Sequence, residues 1–266
     1  MISVNIICQD EEQCLPYTLH VIQRVLSPIL DKVVIVDGGS TDGTFDVIKR
    51  YMQYLPIELI THPFDGCALQ KNRGLERCTS DWILDLDADL TFTSNLYNKL
   101  VEGAFDSGEI WDFIWHFTVV SEYRIFARDA EIRSCLFKRG HTFGNKIHQK
   151  LDGEHSRCND VVIFDNSHLQ TQLNLLARGK RWQKFNQDAE AEGLSMGGPY
   201  RYVEAEYWGR THNKRMEGTL RDLIVPRSTL ELLQLDERRL MENTLAKGEP
   251  PNWVYGLGYM VTHGGA

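Results

Sequence analysis

Three acids in five residues, Asp85-Leu-Asp-Ala-Asp89, follow the apolar run Trp82-Ile-Leu84. Carboxylates at the end of a buried strand sit beside low-dielectric core and repel one another unless a cation joins them. A hard ion such as Mg2+ or Mn2+ answers that need, because one or two carboxylates and substrate phosphates together can hold it. Strand alternation puts Asp85, Asp87 and Asp89 in phase if the strand continues. The competing reading is a run of solvated turn acids, and the apolar approach through Trp82 to Leu84 argues against it.

A second segment runs Val36-Asp37-Gly-Gly-Ser-Thr-Asp-Gly-Thr44. Its glycines let backbone approach a ligand closely, and Ser40, Thr41 or Asp42 can cap the following helix. A capped strand-to-helix turn accounts for Ser40 to Thr44 and leaves Asp37 unexplained. At a strand end Asp37 can accept a hydrogen bond from a base or ribose. No Lys follows Gly43, so this is not a P-loop, and the GxGxxG dinucleotide pattern is absent too. A third segment, Gln70-Lys-Asn-Arg-Gly74, sets Gln70 and Arg73 on roughly one helix face. Cations on the same rim as the acids would meet a diphosphate; the plainer reading is a solvated helix face.

The elements that must position these groups are legible in the first hundred residues. Ser3–Cys8, Lys32–Val36, Ile57–Thr61 and Trp82–Leu86 read as strands. Helical spacing covers about Glu11–Leu26, Asp42–Tyr54 and Cys67–Cys78. Alternating strands and helices predict an α/β fold, a mostly parallel sheet with helices on both faces. Ligands of such sheets sit beyond the carboxyl ends of the strands. Gln9–Glu12, Asp37–Asp42 and Asp87–Asp89 all follow apolar strands, so the three clusters should converge on one rim. After about Asp106 the pattern changes. Phe113–Val120, Tyr123–Ala127, Ile132–Lys138 and Val161–Asp165 read as strands without a long helix between them, hence added antiparallel hairpins. Helix returns at about Leu173–Glu192 and again at Ser228–Ala246, before a tail rich in Gly, Pro and aromatics. The expected division is a catalytic domain over 1–195, with halves 1–105 and 106–195, and an extension over 196–266.

Net charge −8 makes a long phosphate backbone a poor partner, so no nucleic acid is expected. Six cysteines without a CxxC pair read as reduced thiols, hence a cytoplasmic setting. The first residues read as a strand, and no apolar run approaches membrane-spanning length, which allows at most peripheral membrane contact.

The segments, in this order and spacing, resemble family 2 glycosyltransferases of the GT-A fold, nearest to the branch of bacterial lipopolysaccharide-core glucosyltransferases. The family's apolar strand followed by Asn-Glu-Glu corresponds here to the first strand followed by Gln9-Asp10-Glu11-Glu12. Its Val-Asp-x-Gly-Ser-Thr-Asp-x-Thr corresponds to Val36–Thr44. Its Gln-Lys-Asn-Arg is Gln70–Arg73, and its Trp-Ile-Leu-x-Leu-Asp-Ala-Asp is Trp82–Asp89. The likeness covers residues 2–90 well. It thins over Tyr123–Phe126, Cys135–Arg139, Lys146-Ile-His-Gln149 and Asn166-Ser-His168, and beyond about residue 195 nothing matches. By resemblance, Gln9, Glu11, Asp37, Gly39, Lys71, Arg73 and Asp87 hold the nucleotide. Asp87 and Asp89 form a DxD pair for Mn2+ or Mg2+, and His168 completes the metal sphere. The donor is a nucleotide sugar, with UDP favoured, and the acceptor a glycan, lipid-linked group or protein. Gln149 stands where relatives carry Glu, and an amide cannot take the acceptor's proton. His148, Asp152 and Asp165 are then the candidate bases, His148 first.

Two other readings compete. Asp87-Ala-Asp-Leu-Thr91 fits the nucleophile motif of haloacid-dehalogenase-like phosphatases, but the chain has neither Gly-Asp nor Asp-Asp for their downstream acidic pair. The other is a catalytically silent GT-A domain that binds a nucleotide sugar without turnover, a reading that Gln149 supports.

Overall fold

The computed structural model describes residues 1–121, 124–144 and 150–166, with side chains left out at 116–132 and 150. The chain order is β1 (Ile2–Cys8), α1 (Leu15–Leu26), β2 (Leu30–Asp37), α2 (Thr44–Tyr51), β3 (Ile57–Thr61), α3 (Cys67–Leu75), β4 (Trp82–Asp87) and β5 (Leu90–Phe92). It continues through α4 (Asn95–Val101), β6 (Ile110–Ser121), β7 (Arg124–Lys138), β8 (Phe143–Gly144), β9 (Lys150–Leu151) and β10 (His155–Asp165). Eight strands form one sheet in the order β3-β2-β1-β4-β7-β6-β10-β5, and β8 and β9 make a separate hairpin. Strands β3, β2, β1 and β4 run parallel, whereas β7 is antiparallel to both β4 and β6. This is the expected α/β architecture with an antiparallel addition.

The apolar pattern explains the packing. Leu15, Leu19, Ile22 and Leu26 of α1 are fully buried, and with Val47 and Ile48 of α2 they cover one face of the sheet. Each such side chain contributes roughly 1.5–3 kcal/mol on burial. Ala68 and Leu75 of α3 pack on the other face with Ile83, Ile110 and Phe137. Gly74 makes that approach close: a Cβ there would lie 1.8 Å from Asn5 Oδ1.

Several boundaries differ from the sequence pattern for identifiable reasons. Helix α1 begins at Leu15 rather than Glu11, because residues 10–12 are engaged by the turn before α2. Glu11 N–H donates to Thr44 Oγ1 (2.7 Å), Thr41 N–H to Asp10 Oδ1 (2.7 Å) and Gly43 N–H to Glu12 Oε2 (2.8 Å). The two strands expected at 123–127 and 132–138 are one, since the polar stretch between them keeps pairing with β6 through Ala130 and Glu131. Strand β10 starts at His155, earlier than Val161, in a polar segment that pairs with Ile110–Phe113. Helix α4 went unread because only Leu96 of it is buried. The helices expected at 173–192 and 228–246, and the whole extension 196–266, lie outside the described residues. No helix among the described residues is long and apolar enough to cross a membrane.

Candidate active site

Register brings the acid clusters together. The end of β1 lies between two others, with Cys8 opposite Asp37 of β2 and Ile7 opposite Asp87 of β4. The expected rim exists, and its two walls differ in chemistry.

The β2 wall is a turn closed on its own carboxylate. Asp37 is buried and accepts the N–H groups of Gly39 and Ser40, each at 3.0 Å, and the Ser40 hydroxyl. Cys8 Sγ donates from beneath at 3.7 Å, and burial first, then the Asp37 charge, pushes that thiol well up. Gly39 has φ +95, a region that favours glycine, and no heavy atom lies within 4 Å of a Cβ built there. The backbone therefore faces open space, as close approach to a ligand requires. The segment after β3 joins this wall: His62 N–H donates to Asp37 O (2.9 Å) and Phe64 N–H to Gly38 O (3.1 Å). Arg73 pairs with Asp65 of that segment through two hydrogen bonds. Gln9 lies beside Gly38, and Glu11 is buried under the turn.

The β4 wall is a cluster of charges. Asp85 and Lys71 pair in the interior, each with 2% of its side chain exposed. Lys71 Nζ also lies 3.0 Å from Asp87 Oδ1, and Arg133 of β7 donates to Asp87 Oδ2 at 2.6 Å. Asn5 of β1 donates to Asp85 Oδ1 at 2.7 Å and to Lys71 O at 3.2 Å. Burial pushes the Asp85 carboxyl up despite Lys71 beside it. Burial also opposes the charge on Asp87, but Arg133 and Lys71 outweigh it and hold that carboxyl well below the usual range. Burial pulls Lys71 down, and Asp85 and Asp87 more than restore its charge. Lys71 is thus not the open rim cation that the sequence pattern implied. It lies under the acids, because an acid inside a strand requires a buried counter-charge.

Asp89 lies just beyond β4, buried, and its carbonyl accepts Asn166 N–H at 2.8 Å. Asp165 is also buried, and pairs in register with Leu90. His168, two residues after Asn166, lies outside the described residues, as do His148 and Gln149. The hairpin that brackets 145–149 is anchored beside the cluster. Phe143 N–H donates to Asn72 Oδ1 (2.8 Å), Asn72 Nδ2 to Phe143 O (3.0 Å), and the Phe143 ring lies 5.2 Å from Lys71 Nζ. Asp152 is exposed and precedes Gly153, whose Cβ position is 2.9 Å from Ile110 Cδ1. Ile110 is level with Ile83 through Phe137, four residues below Asp87.

Asp87 Oδ1 faces the Lys71 ammonium at 3.0 Å and accepts no hydrogen bond from any other group. An oxygen donor of that kind, with Asp89 close in sequence, fits a hard divalent cation. Among the described residues no three His, Cys, Asp or Glu side chains group as a complete metal site. Two carboxylates completed by substrate phosphate remain a sufficient donor set for Mg2+. Sequence reading missed Asn5, Asp65 and Arg133. A lone amide within the apolar Ser3–Cys8 was a signal for the first; nothing local marks the other two.

Residues 3–169 match the model of glycosyl transferase family 2, and the chain belongs to that family. The lipopolysaccharide core biosynthesis glycosyltransferase LpsC of Rhizobium meliloti (strain 1021) is 36% identical over 110 residues, 41% of this chain and 39% of that protein. The chain thus spans about two fifths of that relative's length. Among solved structures, S. aureus TarS 1-349 is 12% identical with a TM-score of 0.49 over 98% of this chain and 90% of that one. Glucosyl-3-phosphoglycerate synthase from Mycobacterium tuberculosis, in complex with Mg2+ and uridine diphosphate, is 17% identical with a TM-score of 0.36 over 43% of each chain. Neither structure assigns a role to a residue here. Membership of the family sets aside the phosphatase reading of Asp87.

Proposed function

We propose that this chain transfers a glycosyl group from a nucleoside-diphosphate sugar, with UDP favoured, to an acceptor hydroxyl, and inverts the anomeric centre. The observation that supports this most is the pair of unlike walls beside one strand end. The Asp37 turn offers open backbone for base and ribose, and Asp87 and Asp89 stand across β1 where a diphosphate needs a cation. Asp87 and Asp89, with His168, would hold Mg2+ or Mn2+. That ion, when bound, supplies Lewis-acid neutralisation of the charge that builds on the departing diphosphate. Gln9, Glu11, Gly39 and Arg73 would line the nucleotide side.

The acceptor oxygen attacks the anomeric carbon as the bond from that carbon to the diphosphate oxygen breaks, and the nucleotide leaves with the electron pair. The acceptor proton passes to a base within hydrogen-bond reach. His148 is our first choice, since imidazole is the side chain that ordinarily takes up a proton near neutral pH. Asp152 and Asp165, the latter paired in register with Leu90, are the alternatives. The acceptor is a glycan, a lipid-linked group or a protein. The compartment is read as cytoplasmic from six thiols, none in a disulfide.

Release of nucleotide from a panel of UDP-, GDP- and dTDP-sugars, with Mn2+ and with EDTA, tests the proposal. Metal-dependent turnover of one donor is expected. Tight binding of a donor without turnover in the presence of varied acceptors would favour the silent binding domain.

A further inference from the structure

The four charges of the β4 wall, two buried and two half-buried, form a chain with one open end. Asp85 and Lys71 each expose 2% of their side chains, Arg133 18% and Asp87 31%. Each inner member is fixed by the one behind it. Asn5 orients Asp85 and grips the Lys71 carbonyl, and Asp85 takes the Lys71 ammonium. Lys71 then reaches one Asp87 oxygen while Arg133 takes the other. Aromatic faces confine both cations: Phe143 lies 5.2 Å from Lys71 Nζ and Trp115 lies 5.1 Å from Arg133 Cζ. Gly74, one turn beyond Lys71, lets α3 press on Asn5 and so sets the height of Lys71.

Stability alone is a poor reason for this arrangement. Well-packed apolar residues often replace a buried ion pair without loss. Two carboxylates and two cations cancel, so the cluster presents Asp87 in a set geometry without repelling an incoming diphosphate. Groups aimed in advance at developing charge need no reorganisation when the ligand arrives.

We propose that Lys71 and Asp85, oriented by Asn5, are positioning residues that fix Asp87 for donor binding, and that Lys71 is not itself a phosphate ligand. This rests on the reading of Asp87 as a donor-site residue.

The test compares wild type, the double variant Lys71→Met/Asp85→Leu and the single variant Asp85→Asn. Three quantities are measured for each: melting temperature, affinity for UDP without metal, and the Mn2+ concentration that half-saturates the UDP complex. The double variant removes both buried charges and should melt near wild type, yet bind UDP with Mn2+ at least about tenfold more weakly. Asp85→Asn keeps the shape and leaves the cluster one charge more positive. It should need several-fold more Mn2+ while binding metal-free UDP as well as wild type or better. A merely structural pair predicts otherwise: a double variant that binds like wild type, or an Asp85→Asn variant that loses both affinities in step with its melting temperature. Either result overturns the proposal. If the double variant does not fold, Asp85→Asn decides. If wild type itself binds no UDP with Mn2+, the UDP-donor reading fails in the wild-type measurement, distinguishably, and the inference falls with it.

Discussion

Asp37 and Asp87 end strands on either side of β1, yet their charges are accommodated by different means. Asp37 is held by donors from the next three residues, two backbone N–H groups and a hydroxyl. Asp87 is held by two cations from other elements, Lys71 on α3 and Arg133 on β7. Neutral donors from one turn make a local and forgiving site. Cations brought from a distance make a costly site that depends on the whole sheet, because charges taken out of water must be matched in place. The first kind suits a shape to be recognised, and the second suits a charge that must be fixed before a diphosphate arrives.

The largest effect should come from the charged wall. Asp87→Ala strands Lys71 and Arg133 and should destabilise the fold by roughly 3–5 kcal/mol, as loss of one member of a buried ion pair does. Donor turnover should fall by more than about a thousandfold, about 4 kcal/mol of lost transition-state stabilisation. Thermal unfolding and a nucleotide-release assay read the two losses. An Asp87→Ala protein that melts like wild type would mean that the cations find other partners.

Asp89→Asn separates charge from packing. The substitution keeps the size and shape of the side chain and removes only its charge, so the fold should survive while turnover drops by about a hundredfold or more (~2.7 kcal/mol). Excess Mn2+ should recover part of that loss. Circular dichroism and activity across a metal series check both.

On the neutral wall the effects should be smaller. Asp37→Ala leaves the Gly39 and Ser40 N–H groups without their acceptor. Gly39 is exposed and Ser40 half-buried, so water can take over part of the lost bonding and stability should fall by only about 0.5–1.5 kcal/mol per bond, while nucleotide affinity should fall further than stability does. Calorimetric titration beside a denaturant curve checks the ratio.

These contrasts also explain what the sequence disclosed. Val36–Thr44 was legible because the N–H and hydroxyl donors that hold the Asp37 carboxylate lie within that segment, two and three residues on. Trp82–Asp89 was legible as acids that need a cation. Its actual counter-charges were not, since Arg133 is 46 residues from Asp87 and carries no local mark. Lys71 was seen and misplaced: a helix residue in a basic run reads as solvated or ligand-facing, and only the sheet shows which side is the core. The parallel half followed from its alternating elements. In the second half, polar stretches at Arg128–Glu131 and His155–Asp160 hid the continuity of β7 and the start of β10.

The smallest effect concerns a histidine away from both walls. His155 Nδ1 lies 2.9 Å from Asp112 Oδ1 and Nε2 lies 3.1 Å from Leu151 O, so two acceptors face one ring. Burial pulls its pKa down, but Asp112 and the Leu151 carbonyl more than reverse that and raise it above 6.5. A raised folded pKa gives stability that is present below the unfolded value and lost as pH rises through the folded one. His155→Ala should therefore destabilise slightly at pH 6 and progressively less as the pH approaches 9. Melting temperatures of both proteins across that range test the sign.

The central claim is that the two walls bind one nucleoside diphosphate through a metal. Calorimetric titration of UDP, GDP and dTDP into the wild-type chain, once with Mn2+ and once with EDTA, tests it most directly. One nucleotide should bind at a single site with Mn2+ and at least about tenfold more weakly with EDTA (~1.4 kcal/mol). Equal affinity in both conditions, or no binding by any of the three, would contradict the account.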